Sequence, residues 1–175
     1  MRQLYKGNFL RQKTVKNPCW EKQLIASFLL MADVHTTEVR SYNMSRIRAK
    51  DTKPELMVRR FLFSQGFRYR LHDKKLKGKP DIVLSKYKTV IFIHGCFWHG
   101  HEGCRYFVVP KTRSEWWVDK INTNKSKDKV AFKELTDKGW KVLTIWECEL
   151  KQKALKDTFG RLLQNLIDNE EIANS

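Results

Sequence analysis

The stretch Ile91-Phe-Ile-His-Gly-Cys-Phe-Trp-His-Gly-His-Glu-Gly-Cys104 constrains this chain more than any other. It continues the apolar run Thr89–Ile93, which is dense enough in branched and aromatic side chains for a central strand. Three histidines, two cysteines and a Phe-Trp pair then fall within residues 94–104. Zinc takes about four nitrogen or sulfur ligands in a tetrahedron, and a local group is normally completed by a ligand that the fold brings back. Cys96, His101 and Cys104 fit, and Cys148 is the expected fourth ligand because it follows a second strand-like run, Trp140–Trp146, that can lie beside Thr89–Ile93. Cys96-x2-His99 is equally good ligand spacing, so spacing leaves both histidines open. The competing reading has the cysteines as small buried hydrophobes. With His101 on the metal, His94 and His99 are left for other chemistry.

The rest of the chain supplies a frame for that segment. Residues 1–30 show no clear period and read as an appendage, with helical character near Trp20–Leu30. Thr52-Lys-Pro-Glu55 offers a capping box with Pro54 in the first turn. The helix that follows turns Val58, Phe61 and Leu62 inward, leaves Arg59 and Arg60 pointing elsewhere, and stops at Gly66. Phe67–Leu71 alternates as a half-buried strand. After the lysine-rich loop Lys74–Lys79, Pro80-Asp81-Ile-Val-Leu84 and Thr89–Ile93 pair as a hairpin through Lys86-Tyr87-Lys88. A long polar helix runs from Ser114 to about Lys138 and ends at Gly139, and Trp140–Trp146 returns as a strand. Leu155, Phe159, Leu162, Leu163, Leu166 and Ile167 then form a helical stripe. Helix, three strands, helix, strand and helix make an α/β layered domain.

Charge points to the partner. The 175 residues carry 35 Lys+Arg against 19 Asp+Glu, a net charge of +16. Between Arg40 and Pro80, thirteen basic residues face only Asp51, Glu55 and Asp73. Such an excess suits a polyanion through counterion release, with nucleic acid ahead of an anionic membrane. No segment reaches the roughly 18 apolar residues of a membrane span. Leu24–Ala32 resembles a secretory core only superficially, since Glu21 lies in the long stretch before it. Cysteines at 19, 96, 104 and 148 do not form a disulfide framework, and they suit a reducing, cytoplasmic setting.

Pro80-Asp81 sets a carboxylate where a sheet begins, although Asp in that place is often only a turn residue. In nucleases of the PD-(D/E)xK pattern a second carboxylate and a lysine lie on the next strand. The equivalent slot here is Phe92-Ile-His94, which lacks the carboxylate and has histidine in place of lysine. Phosphodiester hydrolysis needs a hard cation on the scissile oxygens and a water deprotonated near neutral pH. Asp81 can hold Mg²⁺ together with a backbone carbonyl near Ile93, waters and DNA phosphate oxygens. Histidine, with an ordinary pKa near 6.5, suits proton abstraction, so His99 is the expected base and His94 its phosphate-side or water-orienting partner.

Taken together, Asn43-Met44, Gly78-Lys-Pro-Asp81, Val90–His99, Pro110-Lys-Thr-Arg113, Glu115-Trp-Trp117 and Gly139–Cys148 closely resemble the very short patch repair (Vsr) mismatch endonuclease family. The resemblance spans about Met31 to Lys153, includes a start-like Met31-Ala-Asp-Val-His35, and makes 31–168 the endonuclease domain with 169–175 as a tail. It implies a restriction-endonuclease-like fold, a central mixed sheet flanked by helices, with one structural zinc. The implied reaction is a Mg²⁺-dependent nick 5′ to the thymine of a T:G mismatch left by 5-methylcytosine deamination.

By position, the resemblance makes Asp81 the metal carboxylate and Ile93 the carbonyl donor. It places His94 and His99 at the cleavage site, and Cys96, His101, Cys104 and Cys148 on zinc. Glu55 and Asp128 fall at supporting positions, Asp128 orienting His99 and Glu55 also capping its helix. Phe97, Trp98 and Trp117 would form a wedge beside the mismatch, with Met44 entering from the opposite groove. A mismatched step is cheaper to unstack, so a wedge favours damaged sites. Two departures stand out: one extra residue between the zinc ligands of the turn, which bears on His99 against His101, and Ile at the carbonyl position in place of a hydroxyl residue. The expected partner is mismatched duplex DNA bound by a monomer in the cytoplasm, at the nucleoid of a bacterium, with a mismatch-repair matchmaker as a further partner. The residues also remain compatible with a non-catalytic zinc-stabilised DNA binder, or with a restriction-type nuclease acting on undamaged sites.

Overall fold

The computed structural model describes residues 36–46 and 50–173. The expected helix near Trp20–Leu30 and the candidate start at Met31 lie outside the described residues. Helix α1 (Thr37–Ser45) occupies what reads in sequence as a basic, polar lead-in. Helix α2 (Lys53–Ser64) begins on the capping box: the Thr52 hydroxyl accepts the Glu55 N–H, and the Glu55 carboxylate reaches back to the Thr52 backbone. Gly66, at φ 84°, takes the left-handed conformation that ends the helix at low cost.

Strands β1 (Arg70–Leu71), β2 (Ile82–Leu84), β3 (Thr89–His94) and β4 (Lys141–Trp146) form one sheet in the order β1-β2-β3-β4. The first three are antiparallel, with Ile82 opposite Ile91, and β4 runs parallel to β3, with His94 opposite Trp146. A parallel pair needs a crossover, which α3 (Ser114–Asp137) provides. Helix α4 (Gln152–Ala173) closes the chain and runs across the 168/169 boundary.

Two-residue alternation divides the sheet between two cores. Ile82, Leu84 and Ile91 pack with Val58 and Leu62 of α2 and Leu162 and Leu166 of α4. Phe61 and Phe159 stack within the same layer at 3.8 Å between centroids. Val83, Val90 and Phe92 face the other way, against Leu135 and Phe132 of α3. The sheet is therefore mixed and covered by helices on both faces. Burying side chains the size of Leu62 or Ile91 contributes about 1.5–3 kcal/mol each.

Three sequence expectations need correction. Only Arg70 and Leu71 of the expected strand Phe67–Leu71 join the ladder, because their partner β2 is only three residues long, and Leu71 is exposed. Ile167 ends the expected α4 stripe at 49% exposure, whereas Leu166 is fully buried. Arg59 does not point away from the core: it is 6% exposed, neutralised by Asp51 and Glu55.

Candidate active site

Asp81 immediately precedes β2, across the hairpin from the end of β3. Its Oδ2 accepts the Ile93 N–H at 2.7 Å, so the carboxylate is pinned one residue from His94. Burial raises the Asp81 carboxyl above its ordinary range; the Ile93 hydrogen bond opposes this and the nearby Glu55 charge adds to it. A half-buried carboxylate that is costly to ionise, with lone pairs to spare and other carboxylates along the same cleft, is a donor set that gains from a hard cation. Asp81 therefore fits the metal carboxylate, with the Ile93 carbonyl as an accompanying oxygen donor.

Beyond β3 the chain turns sharply and brings His99 back over His94. The two imidazoles stack at 3.7 Å between centroids with planes 9° apart. His99 Nδ1 lies 2.6 Å from Asp128 Oδ2 on α3. A carboxylate can only accept, so Nδ1 carries the proton and Nε2 keeps the free lone pair. Burial, and then the proximity of His99, lower the His94 pKa to about 4, partly opposed by Asp128. At neutral pH the stacked pair thus contains an uncharged His94. Gly100 holds the turn against α3: at φ 62°, a Cβ there would stand 2.8 Å from Ile121 Cγ2.

Asp81, His94, His99, Asp128, Glu55 and Ile93 line one cleft of about 820 Å³. Lys50, Lys53, Lys74 and Lys79 also line it, giving the cleft cationic walls around its acidic centre. Phosphates are attracted to such walls, and the carboxylates inside provide oxygen ligands.

The second constellation lies on the other side of Trp146. One ligand atom from each of Cys96, His101, Cys104 and Cys148 lies within 4.8 Å of the others, so His101 joins the cysteines and His99 joins the cleft. Cys148 Sγ is 3.4 Å from His101 Nδ1, near the edge of about 3.6 Å expected between sulfur and nitrogen ligands of tetrahedral zinc. Burial and the neighbouring sulfurs push the Cys148 thiol up to about 12; burial also raises Cys96, with Cys148 opposing and Cys104 adding to it, while backbone hydrogen bonding lowers Cys104. Sulfurs crowded in this way ionise readily only against a cation, so the four residues could hold a soft divalent metal. The Trp146 indole stacks on His101 at 4.0 Å and meets His94 edge-on at 5.4 Å, joining this turn to the cleft.

Phe97, Trp98 and Trp117 form a group of edge-on rings with centroids 5.2–5.9 Å apart. All three are half-buried, and Trp98 also lines the cleft. Asn124 Nδ2 donates to the Trp98 carbonyl at 2.9 Å, tying the aromatic turn to α3. Met44 is 38% exposed on α1. Glu55 combines two roles in space, since it accepts from the Thr52 hydroxyl at 2.9 Å as a cap and from Arg59 Nη2 at 2.7 Å at the cleft wall.

Sequence reasoning missed Arg59 and His72. Glu55 and Arg59 do stand four residues apart, the spacing of a helical ion pair, so one signal was present. Nothing local marks His72, whose ring lies 3.8 Å from Asp81 only after β1 has paired with β2.

A sheet with helices on both faces, carrying a carboxylate, two histidines and cationic walls in one cleft, defines a protein built to act on nucleic acid. A family model described as DNA mismatch endonuclease Vsr matches residues 32–105. The type II nicking enzyme V.NmeAIP of Neisseria meningitidis serogroup A is 52% identical over 139 residues, covering 79% of this chain and 99% of that protein. The type II nicking enzyme V.XorIIP of Xanthomonas oryzae pv. oryzae is 43% identical, covering 79% of this chain and 98% of that protein. The DNA mismatch endonuclease Vsr of Escherichia coli is 46% identical over 121 residues, covering 69% and 77%. Among solved structures, the catalytic domain of the homing endonuclease I-Bth0305I aligns with 68% of this chain and 98% of its own at 23% identity and a TM-score of 0.46. The chain belongs to the Vsr family of DNA endonucleases.

Proposed function

We propose that this endonuclease nicks one strand of duplex DNA 5′ to the thymine of a T:G mismatch, using Mg²⁺ at Asp81 and the Ile93 carbonyl. The observation that carries the reading is the Asp81 carboxylate pinned beside the stacked His94–His99 pair, with Asp128 fixing the His99 tautomer. Two relatives are named nicking enzymes and one a DNA mismatch endonuclease, which supports single-strand cutting and a mismatch substrate. Mg²⁺ would supply Lewis-acid stabilisation of charge on the scissile phosphate.

The chain's own residues do the remainder. The Nε2 lone pair of His99 takes a proton from water as its oxygen attacks phosphorus, and Asp128 stabilises the imidazolium that results. The P–O bond opposite the attacking oxygen breaks, and the departing oxygen takes its proton from solvent water, leaving a hydroxyl and a phosphate at the nick while the His99 imidazolium returns its proton to solvent. His94, uncharged, keeps the His99 ring in plane and orients the phosphate or the water. The cleft lysines hold the flanking backbone. Phe97, Trp98 and Trp117 wedge beside the mismatch from one groove and Met44 from the other, which favours a step already poorly stacked. Zinc on Cys96, His101, Cys104 and Cys148 keeps the turn rigid. The same reading makes the protein a cytoplasmic, nucleoid-associated monomer, with a mismatch-repair matchmaker as a candidate partner.

The test is nicking by the purified chain with Mg²⁺ on end-labelled duplexes carrying T:G, T:A or C:G at one position. Cutting confined to the T:G strand 5′ to thymine is expected. Equal cutting of all three would show a nuclease that acts on undamaged DNA without mismatch selection, and binding without cutting a non-catalytic DNA binder.

A further inference from the structure

Arg59 and His72 take no step in the proposed reaction, yet His72 adjoins Asp81 and Arg59 holds His72. The Arg59 guanidinium forks: Nη1 meets Asp51, while Nη2 lies 2.7 Å from Glu55 Oε2 and 2.9 Å from His72 Nε2. Asp51, Glu55 and His72 each bring one ligand atom within 4.8 Å of the others, a spacing that would also suit a metal ion. The buried guanidinium already supplies the positive charge there.

Arginine has donors and no acceptor, so the nitrogen of His72 that faces it must carry the lone pair. That places the ring proton on Nδ1. Nδ1 lies 3.8 Å from Asp81 Oδ1, while the other carboxylate oxygen takes the Ile93 N–H at 2.7 Å. The 3.8 Å approach is longer than a hydrogen bond and acts as an oriented dipole. The His72 backbone N–H also points to the Asp81 carbonyl at 3.5 Å, and His72 sits at φ 46°, a left-handed conformation costly for a residue with a Cβ. Both the backbone and the ring of His72 are therefore turned toward Asp81.

We propose that His72, held as its Nδ1–H tautomer by Arg59, is a positioning residue that aims the Asp81 carboxylate and so sets the affinity of the cleft for its divalent cation. The inference rests on the reading that Asp81 holds that cation. Outer partners of metal ligands typically change affinity about 10–100-fold when removed, and the long approach here places His72 at the lower end.

The experiment uses the full, zinc-loaded chain. Mn²⁺ binding is followed through the free-ion paramagnetic resonance signal, and the Mg²⁺ half-saturation of nicking is measured in parallel. His72→Phe keeps a planar ring without nitrogens and should weaken Mn²⁺ binding and raise the Mg²⁺ half-saturation about tenfold, with most of the lost rate recovered at saturating Mg²⁺. His72→Asn, which returns an N–H near the Nδ1 position, should restore most of the affinity. Should His72→Phe fail to fold, His72→Ala takes its place, and parental half-saturation in the folded variant overturns the proposal. Asp81→Ala separates the two levels: if it binds Mn²⁺ as the parent does, the reading of Asp81 fails, and with it the basis for a role of His72.

Discussion

The imidazoles of His94 and His99 lie face to face, 3.7 Å apart and 9° from parallel, in the wall of the same cleft that Asp81 lines. Two imidazolium rings in that arrangement would repel, so the pair is built to carry one positive charge at most. A base that must accept a proton from water gains from a neighbour that stays neutral, and the buried His94 is that neighbour.

That arrangement makes stability depend on pH with a definite sign. His94 titrates at about 4 in the folded protein against an ordinary value of 6.5. The unfolded chain therefore binds the proton first, and the contribution is fully present above pH 6.5 and lost as pH falls toward 4. Between pH 6.5 and 5 the parent should lose about 1.6 kcal/mol more than His94→Asn, since the unfolded histidine is already half protonated at the upper end. Urea unfolding of both proteins across this range measures the difference, with the metal site common to both. A constant gap, or one that widens in the opposite direction, would show that His94 is not held neutral.

The role proposed for Asp128 runs through His99, whose Nδ1 it meets at 2.6 Å. Asp128→Asn can present an N–H₂ donor to Nδ1 and so force the proton onto Nε2, where the reactive lone pair should be. Nicking should fall by roughly a hundredfold at saturating Mg²⁺, while duplex binding and the thermal midpoint stay near parental values. Parental turnover in this variant would remove His99 from the role of base.

How much of this was legible in sequence differs from element to element, for physical reasons. The capping box at Thr52 and Glu55, the β2–β3 hairpin and the Gly139 stop depend on residues close in sequence, and each is present as expected. Helix α1 carries no apolar period to mark it, and β1 is short because its partner is short. Spacing alone left His99 and His101 interchangeable, since both lie within reach of Cys96. What separates them is the path of the turn, which carries His101 to Cys148 and His99 to Asp128. Arg59 left one local trace in its four-residue spacing from Glu55, whereas His72 left none, because its relation to Asp81 exists only once β1 has paired with β2.

The sulfur-rich turn should be a metal-dependent element. Cys148→Ala removes the proposed ligand that follows β4 and meets the Cys96–Cys104 turn. Zinc content measured by atomic absorption should drop, and the chain should lose more than about 4 kcal/mol of stability. Unchanged zinc with an unchanged unfolding midpoint would take Cys148 out of the ligand set.

Trp98 lies between the cleft and the aromatic group, so its loss should affect discrimination more than chemistry. Trp98→Ala should lower the ratio of T:G to T:A nicking about tenfold, equivalent to roughly 1.4 kcal/mol. An unaltered ratio would leave the wedge without a function.

The most direct test of the central claim compares the parent with Asp81→Ala on an end-labelled T:G duplex in Mg²⁺, scoring nicking and gel-shift binding side by side. Nicking by Asp81→Ala should fall by at least roughly a thousandfold, about 4 kcal/mol of transition-state stabilisation, with binding nearly unchanged. A variant that cuts at the parental rate would contradict the account, because the cleavage centre would then lie elsewhere than beside His94 and His99.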